Sequence, residues 1–115
     1  MDNKDTKVLK KILEHANDIC KETTGITSAE DFRSNNDKSK AALFDLMQIG
    51  ELVGNSLSQK TTKDLKNIPW SQIYALRNRI VHGYASVDYQ IIWETIQKDI
   101  PMLILEIQSI LNCNS

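Results

Sequence analysis

The chain has 115 residues, of which 41% are hydrophobic and 25% charged, and its formal net charge is −1. This composition is typical of a globular protein, and we predict a single domain over residues 1–115. The near-neutral charge argues against a protein that coats nucleic acid with its whole surface, but it leaves room for a local cationic site.

Neither the cysteines nor the N-terminus indicates export or a membrane. Cys20 and Cys113 are far apart and lack the spacing of a zinc site, so we expect two free thiols. The opening M-D-N-K-D-T-K lacks the apolar stretch of a signal peptide. The apolar run over residues 100–107 is too short to span a bilayer. We therefore expect a cytoplasmic protein without a membrane partner.

The first half of the chain predicts two long helices. Apolar residues recur at helical spacing over residues 6–23, and Gly25 follows as a helix-ending residue. A short helical turn is expected over residues 29–33. A second long helix then begins, capped by Asp37 or Ser39.

Two glycines interrupt the apolar stripe of this second helix. Gly50 and Gly54 each cost roughly 1 kcal/mol relative to alanine in a helix interior. They are expected where another part of the protein approaches closely, either inside the bundle or across a dimer interface.

The second half predicts two more helices. Residues 58–67 are polar and lysine-rich and are expected to form a connection or a ragged helix end. Pro69 suits the first turn of a third helix, Asp88 is a good N-cap for a fourth, and Pro101 kinks this helix or starts another. No segment shows sustained two-residue alternation. The predicted fold is therefore all-α, an up-and-down four-helix bundle with a kinked or broken last helix and a short extra helix.

The third helix concentrates the chemically active side chains. Residues 73–84 read I-Y-A-L-R-N-R-I-V-H-G-Y. Gly83 can adopt the left-handed conformation that closes a helix, which places His82 in the last turn, where the helix dipole stabilises an imidazolium. Arg77 offers a permanent charge and bidentate donors, and a histidine can transfer protons. Together they predict a phosphate site.

Helix geometry restricts how these side chains can meet. At about 100° per residue, Arg77 and Tyr84 lie within roughly 20° of one another around the helix, whereas His82 lies about 140° from Arg77. Arg77 and His82 can converge only if the helix relaxes near Gly83 or if a second copy of the chain supplies one of them. The second possibility favours a homodimer with a composite cleft at its two-fold axis.

Other chemistries are poorly supported by the sequence. The spacings H-x-x-x-H and C-x-x-C and the paired carboxylates of glycosidases are absent, so we expect neither a metal nor a cofactor. His15, beside Glu14 and with nothing else around it, is expected to be an isolated surface residue. Trp70 and Trp93 are expected in the core.

The combination of motifs resembles the HepT-like branch of the HEPN family. The chain contains A-L-R-N-R-I-V-H-G-Y and then V-D-Y-Q-I-I-W, with I-P-W before them, L-M-Q-I-G-E in the preceding helix and V-L-K-K-I-L-E-H-A-N-D-I near the N-terminus. The match covers nearly the whole chain. Its centre is Arg-x-x-x-x-His-x-Tyr, formed by Arg77, His82 and Tyr84, with Asn78 as the polar residue after the arginine.

The resemblance implies a fold, an activity and a partner. Members of this family are helical bundles that dimerise and bring two such motifs into one cleft. Many are metal-independent endoribonucleases that act as toxins. Their antitoxin is a minimal nucleotidyltransferase (MNT) that transfers AMP from ATP to the motif tyrosine. Tyr84 matches that tyrosine.

These expectations assign a role to each motif residue. RNA carries a 2′-hydroxyl that can attack its own phosphodiester, so the enzyme must supply proton transfer and charge stabilisation. On this hypothesis His82 is the general acid/base and Arg77 the phosphate clamp. Asn78 orients the substrate or the arginine, and Arg79 adds a phosphate contact.

Two alternatives stay open at this stage. One is a non-catalytic member of the family that binds a nucleotide or a partner through the same cleft. The other is purely structural: Arg77 pairs with a carboxylate such as Glu51 or Asp45 inside the bundle and has nothing to do with phosphate.

Overall fold

A computed structural model describes residues 2–83 and 87–113, and within these ranges it is helical without any strand. The elements are α1 (Asn3–Glu22), α2 (Ala29–Ser34), α3 (Asn36–Asn55), α4 (Gln59–Asp64), α5 (Trp70–His82), α6 (Tyr89–Glu94), a π-helical segment (Thr95–Asp99) and α7 (Ile100–Cys113). The predicted all-α class is confirmed, and the last long helix is broken as expected. Two short helices, α2 and α4, accompany the long ones.

Local capping groups move the helix starts away from their predicted positions. α1 begins before residue 6 because the side chain of Asp2 accepts the backbone N–H of Asp5 at 2.8 Å. α3 is capped by Asn35 rather than by Asp37 or Ser39, so the prediction for this cap was wrong.

The connection before α5 is also more ordered than expected. Residues 58–67 contain α4, whose N-cap is Ser58. Pro69 is the N-cap residue of α5 and does not lie in its first turn. Asp88 caps α6 as predicted, accepting the backbone N–H groups of Gln90 and Ile91.

The two glycines expected to end helices behave differently. Gly25 follows α1 with φ of 88°, the left-handed conformation that was predicted. Gly83 has φ of 170° and is extended, so the left-handed prediction for this residue was wrong. Its N–H nevertheless donates to the carbonyl of Arg79 at 3.3 Å, which closes the last turn of α5.

The break in the last helix lies just before Pro101. Proline has no N–H to donate to a preceding carbonyl, so the regular helical ladder cannot continue through it. The chain passes through the π-helical segment at Thr95–Asp99 and then resumes as α7. The predicted break is therefore confirmed, and it takes the form of a wide helical turn.

α3 lies at the centre of the packing. It packs along α1 and along α5, α1 also packs against α7, and α2 packs against α6. The buried hydrophobic side chains form one cluster that includes Trp70 and Trp93, as predicted. Ile80 and Leu103 are 1% and 0% exposed. No helix within the described residues is both long enough and apolar enough to cross a bilayer.

A buried carboxylate ties α1 to α4. Asp5 is only 3% exposed and accepts hydrogen bonds from the backbone N–H of Ser58 at 3.0 Å, from the Ser58 hydroxyl at 2.5 Å and from the Thr61 hydroxyl at 2.6 Å. Burial raises the pKa of Asp5, but these hydrogen bonds and the charge of Lys4 lower that pKa by more, so it lies below its ordinary value. No local pattern in the sequence predicts this contact, because Asp5 and Ser58 lie far apart in the chain.

The cysteine on α1 is exposed. The Cys20 side chain faces outward and forms no disulfide among the described residues. The free thiol expected there is confirmed. The Cys113 side chain lies outside the described part of the chain.

Candidate active site

α5 approaches α3 closely because α3 has two glycines at the contact. A Cβ atom on Gly50 would lie 2.2 Å from Cβ and 2.8 Å from Cγ of Arg77. A Cβ atom on Gly54 would lie 2.1 Å from Cε1 of Tyr74. The close approach predicted from the glycines is therefore confirmed inside the chain, so the glycines no longer argue for a dimer interface.

The guanidinium of Arg77 is held on two sides. Its Nη2 donates to Oε2 of Glu51 at 2.5 Å, and its Nη1 donates to Oδ1 of Asn78 at 2.8 Å. Its Cζ lies 5.9 Å from the ring centroid of Tyr74. Its Nε is buried without a hydrogen-bond partner in the described structure.

The pair of Arg77 and Glu51 lies at the surface. The two side chains are 24% and 46% exposed, which distinguishes the pair from a desolvated ion pair in the core. The other oxygen of Glu51, Oε1, accepts the side-chain amide of Asn55 at 2.6 Å. One of the carboxylates named in the structural alternative thus contacts Arg77, while part of the Arg77 side chain remains exposed to solvent.

His82 is exposed at the end of α5. It lines a cleft of about 350 Å³ together with Arg79, and the opposite wall includes Val87, Asp88 and Ile91. A neighbouring cleft of about 200 Å³ shares Arg79 and Ile91 and continues along α5 towards α7. His82 therefore opens onto a groove between α5 and α6 that has the cationic side chain of Arg79 in its wall.

Among the described residues of one chain, Arg77 and His82 face different neighbours. α5 is a regular helix from Trp70 to His82, so it keeps the angular separation of these two residues. Arg77 faces α3 with Asn78 beside it, whereas His82 shares the α5–α6 groove with Arg79. Tyr84 lies outside the described residues.

The expectation that His15 is an isolated surface residue was wrong. His15 Nδ1 lies 2.8 Å from Oδ1 of Asp45, and Asp45 is 5% exposed. Asp45 is therefore the partner of His15 and not of Arg77. The pair links α1 to α3 on the side of α3 that faces away from α5.

Two more carboxylates lie close to this pair. Burial, a hydrogen bond with Asp45 and the charges of Asp45 and Asp18 together raise the pKa of Glu22 to about 7. One ligand atom each from His15, Asp18 and Asp45 lie within 4.8 Å of one another, the one grouping of metal-ligand type in the described structure. The spacing of His15, Asp18 and Glu22 along one face of α1 is a signal in the sequence from which this grouping could have been predicted.

The residues around Arg77 were also only partly anticipated. Glu51 was named as a possible partner, but Tyr74 and Asn55 were not. Each lies one helical turn from a partner, Tyr74 three residues before Arg77 and Asn55 four residues after Glu51. These spacings were readable in the sequence, whereas the pairing across α3 and α5 was not.

Comparison with protein families gives one match that spans most of the chain. The model described as Ribonuclease HepT-like matches residues 12–110. No solved structure matches the chain.

Curated proteins of similar length are related to the chain. The protein named Putative RNase TTE0752, from Caldanaerobacter subterraneus subsp. tengcongensis, is 37% identical over 103 residues, which cover 90% of each chain. Putative RNase MJ1380, from Methanocaldococcus jannaschii, is 32% identical over 112 residues, which cover 94% of this chain and 98% of the relative. Probable ribonuclease HepT, from Thermococcus cleftensis, is 31% identical over 68 residues, covering 56% and 61%.

Proposed function

Because this chain belongs to the HepT-like ribonuclease family, we propose that it is a metal-independent endoribonuclease with Arg77 and His82 in its active site. The proposal includes the role of a toxin in a toxin–antitoxin pair. The resemblance of Arg77-x-x-x-x-His82-x-Tyr84 to the family motif supports both parts.

The proposed reaction is an internal transesterification of RNA. The 2′-oxygen attacks the adjacent phosphorus, the bond to the 5′-oxygen breaks, and the products are a 2′,3′-cyclic phosphate and a 5′-hydroxyl. His82 is the general acid/base that moves protons between these oxygens. Arg77 stabilises the additional negative charge of the phosphorane. The exposure of His82 on an open groove supports its part in this scheme.

Asn78 and Arg79 have supporting roles in the proposal. Asn78 accepts a hydrogen bond from Arg77, which favours orientation of the arginine over direct substrate binding as its main role. Arg79 lines the same groove as His82 and would contact a phosphate of the RNA backbone.

The main structural support for the proposed site is that Arg77 and His82 point in different directions on an unbroken α5. A site that needs both side chains on one phosphate cannot be formed along one regular helix. We therefore infer that the active form is a homodimer in which Arg77 of one copy and His82 of the other meet in one cleft. Val81, next to His82, is 50% exposed and offers an apolar surface for such a contact.

Regulation is proposed to act on the tyrosine of the motif. The proposed partner is an MNT-type nucleotidyltransferase that attaches AMP from ATP to the Tyr84 hydroxyl and releases pyrophosphate. The added phosphate would neutralise charge that the RNA needs, and the nucleoside would occupy substrate volume. The position of Tyr84 two residues after His82 supports this proposal.

Cleavage of RNA by the purified protein tests the function directly. Arg77→Ala and His82→Ala should each abolish cleavage while helix content is retained, and Arg33→Ala, which removes an arginine on α2, is the matched control. Cleavage should persist in excess EDTA. Binding of RNA or a nucleotide without cleavage would favour the non-catalytic alternative, and loss of cleavage in EDTA with recovery on adding a divalent ion would contradict the mechanism.

Mixing the two inactive variants tests where the site is formed. If the subunits exchange freely, half of the dimers are mixed, and each mixed dimer has one cleft with an intact arginine and an intact histidine. A one-to-one mixture should then recover about a quarter of the wild-type activity. A site formed within one chain would remain inactive in every dimer, so a mixture without activity would contradict the composite cleft.

A further inference from the structure

Glu51 is next to Gly50 on α3, so the same short stretch of α3 contacts both the beginning and the end of the Arg77 side chain. We propose that Glu51 is a positioning residue that fixes the guanidinium plane of Arg77 for the phosphate of the substrate. This inference rests on the proposed function, and it adds to that function a residue outside the Arg-x-x-x-x-His-x-Tyr motif.

The Cβ and Cγ atoms of Arg77 pack against Gly50 of α3. These two atoms occupy the space that a side chain at position 50 would need. The backbone of α5 also lies close to α3 at this point, because a Cβ on Gly50 would lie 3.4 Å from the backbone oxygen of Ile73. The first side-chain torsion of Arg77 therefore has little freedom, and the guanidinium is directed along α3 towards Glu51.

The Glu51 carboxylate, which accepts the hydrogen bond from Arg77, is itself restrained by a second hydrogen bond. Oε2 of Glu51 accepts from Arg77, while Oε1 accepts from the amide of Asn55 one turn further along α3. Hydrogen bonds at both oxygens restrict the rotamers of the carboxylate. It therefore acts as a fixed acceptor and not as a mobile counterion.

The remaining donors of Arg77 suit a phosphate. A guanidinium has five N–H groups. Glu51 and Asn78 use one on Nη2 and one on Nη1, and the Nε–H is buried. Counting the hydrogen bonds among the described residues, one N–H group is left on each terminal nitrogen, which is the number required for bidentate contact with a phosphate.

Stability alone is a weak explanation for this arrangement. An exposed ion pair contributes little to stability, and Glu51 is 46% exposed. Its negative charge beside the site also opposes the approach of a polyanion. An acidic side chain at this position is accounted for by the orientation that it imposes on Arg77.

Steady-state cleavage of a short RNA by three variants tests this role. Glu51→Ala removes the acceptor and the charge, and kcat should fall roughly 10- to 100-fold with KM unchanged or lower, because misplacement of a clamp affects the chemical step. Glu51→Gln keeps an acceptor oxygen and should retain most of kcat. Glu14→Ala removes one exposed carboxylate on α1 and is the charge control.

Other roles for Glu51 predict different results. If Glu51 only stabilised the fold, all three variants would have wild-type kcat below their unfolding temperatures. If it only repelled RNA, Glu51→Ala and Glu51→Gln would both lower KM by the same factor and leave kcat unchanged. Either result would overturn the proposal.

A measurement on the free protein separates this inference from the proposed function. Arg33, Arg77 and Arg79 are the only arginines, so their Nε–H signals can be assigned by NMR and the other two serve as internal references. The Arg77 order parameter should fall in Glu51→Ala and be retained in Glu51→Gln. An unchanged Arg77 signal in Glu51→Ala would refute positioning by Glu51 even if the wild type cleaves RNA. If the wild type does not cleave RNA, the proposed function is contradicted. The NMR measurement then still tests whether Glu51 fixes the Arg77 side chain.

Discussion

The Asp5 carboxylate accepts hydrogen bonds from both the backbone N–H and the hydroxyl of Ser58, which joins two residues that are 53 positions apart in the sequence. The contact fixes the start of α1 to the start of α4, and Thr61 adds a third donor. A buried carboxylate with three donors stabilises the folded state only while it is ionised and each donor has its acceptor.

We predict that Asp5→Asn lowers the free energy of unfolding by about 1–3 kcal/mol, because an amide cannot accept all three hydrogen bonds. The loss is measured by urea denaturation at pH 7. Asp2→Asn is the matched control, since asparagine caps a helix as well as aspartate does.

The same carboxylate predicts a dependence on pH. The folded-state pKa of Asp5 is lowered, so its stabilisation is complete above the unfolded pKa of about 3.9 and is lost as the pH falls through the folded pKa. Wild type and Asp5→Asn should therefore converge in stability at acidic pH. If the free energies of unfolding of wild type and Asp5→Asn differed by the same amount at pH 3 and at pH 7, the lowered pKa of Asp5 would be contradicted.

Glu22 should make the protein less stable as the pH rises. Its pKa of about 7 in the folded state exceeds the unfolded value of about 4.3, so between these values the folded state retains a proton that the unfolded state has released. The free energy of unfolding should fall with rising pH over this window. Glu22→Gln should remove that slope and be more stable than wild type at pH 8.

The comparison isolates Glu22 because His15, Asp18 and Asp45 are unchanged in the variant. Glu14→Gln, on the exposed side of the same helix, should leave the slope as in wild type. Parallel pH profiles for wild type and Glu22→Gln would show that Glu22 ionises normally.

Gly50→Ala should displace Arg77. The added methyl would lie 2.2 Å from the Arg77 Cβ, so α5 must shift, and such overpacking costs about 1–3 kcal/mol. Gly54→Ala meets the ring of Tyr74, a side chain that can rotate, and should cost less. Denaturation midpoints of the two variants test whether Gly50→Ala is the less stable. A Gly50→Ala variant at least as stable as Gly54→Ala would contradict this prediction.

Val81→Asp should weaken the proposed dimer by placing a charge at the exposed end of α5. Sedimentation velocity at tens of micromolar should show a dimer for the wild type and mainly monomer for the variant. Leu105→Asp is the control, because Leu105 is 68% exposed on α7. Dissociation by Leu105→Asp but not by Val81→Asp would place the interface elsewhere.

Tyr84→Phe should remain active as a toxin when the partner nucleotidyltransferase and ATP are present, because it lacks the hydroxyl that would receive AMP. Intact-mass spectrometry after co-expression should show AMP added to the wild type and none to the variant. Labelling of the variant as complete as that of wild type would mean that another residue is the acceptor.

The helices of this fold were predictable from the sequence because burial follows the helical period. Ile73, Leu76 and Ile80 share one face of α5, and all three are buried. The helix boundaries were less predictable because neighbouring polar residues compete as caps. Asn35 lies close to Asp37 and Ser39, and the sequence does not indicate which of the three has the required backbone conformation.

The site was predictable only within a single helix. The divergence of Arg77 and His82 follows from the helical angle once α5 is known to be regular. The partners of Arg77 and His15 were not predictable, because they depend on how α3 is rotated against its neighbours. Glu51 faces α5 and Asp45 faces α1, and no local pattern assigns the two carboxylates to these sides.

The surroundings of Arg77 are modular. Within the part of the chain that the structure describes, the contacts named for the Arg77 side chain come from α3 and α5, between Gly50 and Asn78. Exchanging this helical hairpin as one piece between relatives should therefore transfer the oriented guanidinium intact. A recombination point inside α4 would separate the two halves. The α5 of this chain would then meet a foreign α3, and Arg77 and Tyr74 would fit only if that helix also had glycine at positions 50 and 54.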